Sequence, residues 1–278
     1  MTLTTDSPSD FEDPPLVEVA CSVQFDKLFG LRSFQMMKFG EKFEKQFPRV
    51  EEKPILIPNY ETFGSGMENP RVEVTYTDIP DPPRYWFVSK SGTEMIQIQQ
   101  DRFIHNWRKV KGNEDYPRYE SVKAQFEDNL SSFCQYLDQQ AVGAFEPNLV
   151  ELTYVNAIPK GKPWGALNDI GKMFMLSRES HEERMDTEPE SINYSEQHVI
   201  EDAGQQIGRI YINLINGKRA DKSEVLRLTL TARGIPLGGR NLEGVLRFLD
   251  LGNVILGRAF VAFTNPEMHK MWKRVKQA

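Results

Sequence analysis

A chain of 278 residues, 39% hydrophobic and 27% charged, can bury a proper core as one large domain or two small ones. No apolar run reaches the ~20 residues a bilayer-spanning helix needs; the longest, VILGRAFVAF from Val254, is interrupted by Arg258. The net charge of −6 argues against non-specific nucleic-acid binding, and the two cysteines, Cys21 and Cys134, cannot make a metal site by themselves.

The opening MTLTTDSPSDFEDPP carries Asp6, Asp10, Glu12 and Asp13 and no base, unlike a signal peptide. Residues 1–13 therefore read as a disordered acidic tail, and a reducing cytoplasm is the expected compartment. Next, Leu16 to Phe25 alternates around Val17, Val19, Cys21, Val23 and Phe25, which predicts a strand. A helix is expected from Leu31 to Phe47, with Phe39, Phe43 and Phe47 along one face and Pro48 ending it. The stretch Glu51 to Pro70 is rich in Pro, Gly and Asn and reads as a loop with one short extended piece. Strands follow at Val72 to Thr77, Arg84 to Ser89, Glu94 to Gln99 and Arg102 to Val110, with Ser91-Gly92 as a tight turn. A long amphipathic helix, Tyr119 to Gln140, carries Val122, Phe126, Leu130, Phe133 and Leu137 at steps of three or four.

The second half repeats this order. A strand (Leu149 to Ile158) and a short helix (Ala166 to Leu176) precede strands at Ile192 to Ile200, Gln206 to Ile215 and Glu224 to Ala232. Helix then runs from Asn241 to Phe263, and a last one starts at Asn265-Pro266, with Asn265 as its cap. The pattern predicts an α+β fold: mainly antiparallel sheet with helices packed on one face. It divides into two pseudo-repeats, residues 14–145 and 146–278, packed as one globular unit.

Motifs of common chemistries are missing. There is no phosphate-binding G-x-x-x-x-G-K-[ST] and no G-x-G-x-x-G after a strand. The stretch GIPLGGRN, Gly234 to Asn241, reads as a turn with positive-φ glycines and an Asn241 helix cap. Gly64-Ser65-Gly66 lacks the spacing of a nucleophile elbow, and His181-Glu182-Glu183 has no second histidine at helical spacing. No catalytic, cofactor-binding or metal-ligating residue is assigned, and no cofactor is expected.

The binding candidates lie in QIQQDRFIHNWRKVKGNEDYPRYE, Gln97 to Glu120. On one strand Phe103, His105 and Trp107 share a face, and Arg102, Ile104, Asn106 and Arg108 share the other. A base stacked on Trp107 with a phosphate on Arg102 or Arg108 is one use of such a strand. Packing of Phe103 and Trp107 into the core, with His105 hydrogen-bonded, is the other. The turn into the next helix brings Tyr116, Arg118 and Tyr119 close. Charge is also uneven: from Arg233 onward eight Lys or Arg face three acids, which suggests a basic C-terminal face.

The stretches PPLVEVACSVQFDKL, IQIQQDRFIHNWRKVKGNEDYPRYESV, VELTYVNAIP and FVAFTNPEMHKMW, spanning Pro14 to Trp272, resemble a sporadically distributed bacterial family of unknown function. The resemblance singles out Arg102, Asn106, Trp107, Arg108, Tyr116, Arg118 and Tyr119, as site or as core. Members of that family often carry a histidine in the last long helix, where LDLGNVILGRAF offers Gly252 and Asn253. A sporadic distribution implies mobile or defence-related gene islands, where a protein acts with a neighbouring gene's product, as toxin–antitoxin pairs do. Three readings follow. The leading one is a non-catalytic cytoplasmic interaction protein with a protein partner. The second is a nucleic-acid-binding module using Arg102, Trp107, Arg108 and the basic C-terminal face. The third is an enzyme centred on His105 with Arg118 or Glu120. No membrane association is expected, and the sequence leaves the oligomeric state open.

Overall fold

Alternation in LVEVACSVQF puts Val19, Cys21, Val23 and Phe25 on one buried face of strand β1 (Leu16–Phe25). A bulge against the neighbouring strand at the start of β1 breaks the alternation, so Leu16 rather than Val17 joins the core. The computed structural model describes residues 10–63, 80–176, 187–219 and 221–275. The strand expected over Val72 to Thr77, Gly64-Ser65-Gly66 and His181-Glu182-Glu183 lie outside the described residues.

After β1 come α1 (Ser33–Glu41), β2 (Arg49–Lys53), β3 (Arg84–Val88), β4 (Glu94–Gln99), β5 (Arg102–Arg108) and α2 (Tyr119–Gln139). The second half holds β6 (Pro147–Pro159), the short α3 (Ile170–Met173), β7 (Asn193–Asp202), β8 (Gln205–Lys218), β9 (Glu224–Gly234), α4 (Leu242–Phe263) and α5 (Pro266–Met271). These strands form one nine-stranded sheet in the order β2-β3-β4-β5-β1-β6-β9-β8-β7. Every neighbouring pair is antiparallel. Reading outward from the central β1–β6 pair, β5 matches β9, β4 matches β8 and β3 matches β7. The doubling is thus a doubling of strand order within one continuous sheet.

Both long helices cover the same face. α2 packs on β1 and β5, α4 packs on β6 and β9, and the two helices touch. Phe126 and Phe133 of α2 meet the ring of Phe103, and Phe133 also meets Phe25 and Phe39. α1 can press against β3 because Gly40 has no side chain: a Cβ there would sit 2.0 Å from the Phe87 ring. The helix expected to reach Phe47 stops at Glu41 and continues as turns, which still bury Phe47.

Asn241 caps α4 as its sequence predicts, accepting from the Gly244 amide at 2.9 Å, after a turn with Gly238 at φ +81°. Asn265 does not cap α5. Its amide instead donates to the carbonyls of Gly171 and Lys172, tying α5 to α3. Of the expected tail, residues 10–13 are instead held against the fold, and residues 1–9 lie outside the described residues. Phe11 is buried edge-on against Phe260 at 5.2 Å. The Glu12 amide donates to the Lys273 carbonyl at 3.0 Å, and the Val275 amide donates to the Asp10 carbonyl at 2.9 Å. Residues 10–13 and 272–275 therefore form a two-stranded clasp beside α4. Among the described residues, no helix is long and apolar enough to cross a membrane.

Candidate binding sites on opposite faces of the sheet

Strand β5 has the two faces its alternation predicts, and they serve different sites. Phe103, His105 and Trp107 point under α2 and are buried. His105 Nδ1 lies 3.3 Å from the Asn129 amide nitrogen, while its Nε2 finds no hydrogen-bond partner. Burial without a counter-charge holds the imidazole pKa down, at about 4. His105 is fully buried and is not among the residues that line the cavity holding Arg118 and Glu120 on the same face. Cys21, directly across the β1–β5 pairing from His105, is pushed up to about 12 by burial and stays a thiol.

Arg102, Asn106 and Arg108 lie on the opposite face, which carries no long helix among the described residues. Trp107 is therefore separated from both arginines by the sheet itself, and the three do not share a surface. The tryptophan flanked by cations is Trp86 of β3, with Lys53, Arg84 and Arg108 at 4.7, 5.5 and 6.0 Å from its ring. Its signal was the spacing of Arg84 and Trp86, two apart on one strand. Of the cations expected on a basic C-terminal face, Arg233 sits on the open face with Glu151 and Glu61, Arg240 pairs with Asp26, and Arg247 pairs with Glu243 on α4, while Lys276 lies outside the described residues.

The open face is a polar network. The Gln97 amide donates to Asn106 Oδ1 at 2.6 Å, and Asn106 donates to Glu18 at 2.7 Å. Across this face runs a strap, residues 54–63, held largely by its main chain. Gln99 accepts from the Leu56 amide at 2.9 Å and donates to the Leu56 carbonyl at 3.0 Å. Gln24 repeats the pattern on Asn59, at 2.9 and 3.0 Å. Arg102 donates to Gln24 at 2.6 Å and to the Ile57 carbonyl at 3.3 Å. At the far end Glu61, its side chain 1% exposed, is enclosed by Arg209, Arg233 and the Tyr211 hydroxyl. The strap's Ile57 and Tyr60 face solvent.

The helix face carries a cavity of about 470 Å³ between the N-terminal end of α2, the middle of α4 and the terminal clasp. Tyr116, Arg118 and Tyr119, three of the sequence candidates, line it. So do Tyr154, Asn156 and Asn253, which sequence reasoning did not select as site residues. Its apolar wall comes from Phe11, Leu16, Leu230, Leu256 and Phe260. Tyr154 donates to Asn253 Oδ1 at 2.6 Å. Tyr116 lies beside Tyr154 in the same wall. Tyr119 donates to Asp250 at 3.0 Å. Burial raises the pKa of all three phenols, so each remains neutral.

Two further features mark this cavity. Arg118 sits at its mouth with φ +72° and ψ 156°, a backbone region that glycine favours, pinned by Asp10 at 2.7 Å and the Phe11 carbonyl at 2.8 Å. Asn253 follows Gly252 on α4, where an added Cβ would meet the Ala232 and Leu152 Cβ atoms at 3.3 and 3.5 Å.

Among the described residues no cluster of His, Cys, Asp or Glu could hold a metal ion. No family model matches the sequence, and no curated protein matches it. Among solved structures the crystal structure of the di-domain ARO/CYC StfQ from the steffimycin biosynthetic pathway aligns over 88% of this chain and 97% of its own. At 10% identity and a TM-score of 0.16, that similarity supports neither a shared fold nor a shared activity.

Proposed function

We propose that this protein is a non-catalytic binding protein that holds an extended segment of a partner polypeptide on the open face of its sheet. One observation carries the reading: the face already holds residues 54–63 as an extended chain, through side chains that address main-chain atoms. Gln99 and Gln24 each present an amide that pairs with both the N–H and the C=O of one strap residue. Such pairing is independent of the guest's side chains, as when an added strand is read through its backbone. The slot between Arg209, Arg233 and Tyr211 adds a requirement for one carboxylate. The strap is then the resident occupant, and a partner segment takes the same row when the strap leaves. The family resemblance makes a neighbouring gene's product the first partner to test.

Affinity purification from the native host tests this with three chains. Glu61→Ala empties the carboxylate slot and frees the strap; Gln24→Ala with Gln99→Ala removes the main-chain anchors. The expected result is one partner, recovered in higher yield by Glu61→Ala and lower yield by the double variant than by wild type. Recovery of the protein alone from all three overturns the reading, as does a partner indifferent to both changes.

A further inference from the structure

The cavity on the helix face is separate from the strap and needs no partner protein. From its lining we infer that the protein has a second site, which binds an uncharged, largely apolar ring compound bearing a hydroxyl group. Three observations fix the ligand's chemistry. The volume of about 470 Å³ falls in the size range of small-molecule sites, ~300–1,000 Å³, and the wall is apolar on one side. The polar groups converge on the other side. Tyr154 gives its proton to Asn253, and Asn156 uses one of its two amide protons on the Leu228 carbonyl at 3.3 Å. The Tyr116 hydroxyl and the rest of the Asn156 amide can both donate and accept, which suits a ligand hydroxyl, itself a donor and an acceptor.

A charge inside the cavity is disfavoured by the same inventory. The interior groups are phenols and amides, while the charged groups, Asp10, Arg118 and Glu120, stand at the rim, with Arg118 held by Asp10 and Glu120 exposed. A charged group placed inside would have no counter-ion beside it, at a desolvation penalty nothing in the interior offsets. The arginine held at positive φ at the mouth is the kind of local strain that persists where a site is shaped for a guest.

The probes are three compounds with one ring system: 2-naphthol, naphthalene and naphthalene-2-sulfonate, titrated into the full chain and followed by fluorescence. The expected order is saturable binding of 2-naphthol, naphthalene about tenfold weaker for the lost hydrogen bond, and no saturation by the sulfonate. Tyr116→Phe removes the hydroxyl but keeps the ring that packs on Trp107 at 5.4 Å. It should bring 2-naphthol down to the affinity of naphthalene and leave naphthalene unchanged. Gly257→Leu, at a lining position on α4 where leaving glycine favours the helix, should weaken both neutral probes at least tenfold. Failure of both neutral probes to saturate overturns the inference, as does preferred binding of the sulfonate. Equal affinity of 2-naphthol and naphthalene, unaffected by Tyr116→Phe, overturns the assigned chemistry. If Gly257→Leu fails to fold, by circular dichroism, the Tyr116→Phe comparison still decides.

Discussion

His105 enters the interior with one hydrogen-bond contact and no counter-ion, so a proton on it opposes folding. Its folded pKa, about 4, lies below the ordinary value of 6.5. Above pH 6.5 neither state holds the proton and the residue contributes no pH dependence. As pH falls below that value, the unfolded chain takes up a proton that the folded chain refuses. Stability then drops by about 1.4 kcal/mol per pH unit until the folded pKa is reached near pH 4. The expected outcome is a steeper loss of urea midpoint between pH 6.5 and 4 in wild type than in His105→Gln, whose amide can still meet Asn129. Equal slopes would place His105 in contact with water. At this scale the sequence was half legible. Alternation along RFIHNWR sorted each residue to its face. It did not say which face the helices would cover, and that decided Trp107 for the core and left Trp86 among cations. Tyr154 lies 38 residues beyond Tyr116 and Asn253 a further 99 beyond Tyr154, distances no local pattern spans.

The strap shows the same limit for whole elements. It is the described part of the loop expected over Glu51 to Pro70, where Pro54, Pro58 and Asn59 disfavour regular pairing. Its destination was hidden. Leu56 meets Gln99, Asn59 meets Gln24, and Glu61 meets Arg209, and each partner sits on a different strand. A glutamine on a strand gives no sign that its amide will stand in for a peptide group. Glu61→Gln should weaken the anchor most. It leaves two guanidiniums that are about one fifth exposed without their buried carboxylate, at a cost of about 2 kcal/mol after partial screening by solvent. Limited proteolysis reads the local effect: cleavage within residues 54–63 should accelerate at least tenfold, with other sites unchanged. Uniform acceleration would mean that the strap is not a separable element.

Across the molecule, the central β1–β6 pairing joins two halves that each resemble a small α+β unit. Pairing runs the length of β1, from Leu16–Asn156 to Phe25–Pro147, and both strands are buried beneath helices. Splitting the chain there would expose two long apolar strand edges at once. Urea unfolding should therefore show a single transition, coincident by tryptophan fluorescence and circular dichroism. Residues 14–145 and 146–278 expressed separately should aggregate or remain unfolded. Two transitions, or a soluble folded half, would mean that each repeat is a domain. The doubling itself was readable in the order of strands and helices. The continuity of the sheet was not, because alternation tells which side of a strand is inward and never which strand lies beside it.

The terminal clasp bears on how this topology could arise. Asp10 and Val275 are hydrogen-bonded neighbours, and Gly143, between the halves, already lies in a connection with a permissive backbone. The chain is thus close to a closed ring, and the sheet depends on the cyclic order of its strands rather than on which half comes first. Joined at the clasp and opened near Gly143, a circular permutant would keep every strand pairing, with the two repeats exchanged. That is the geometry expected when one ancestral half is copied and fused head to tail, since either copy can lead.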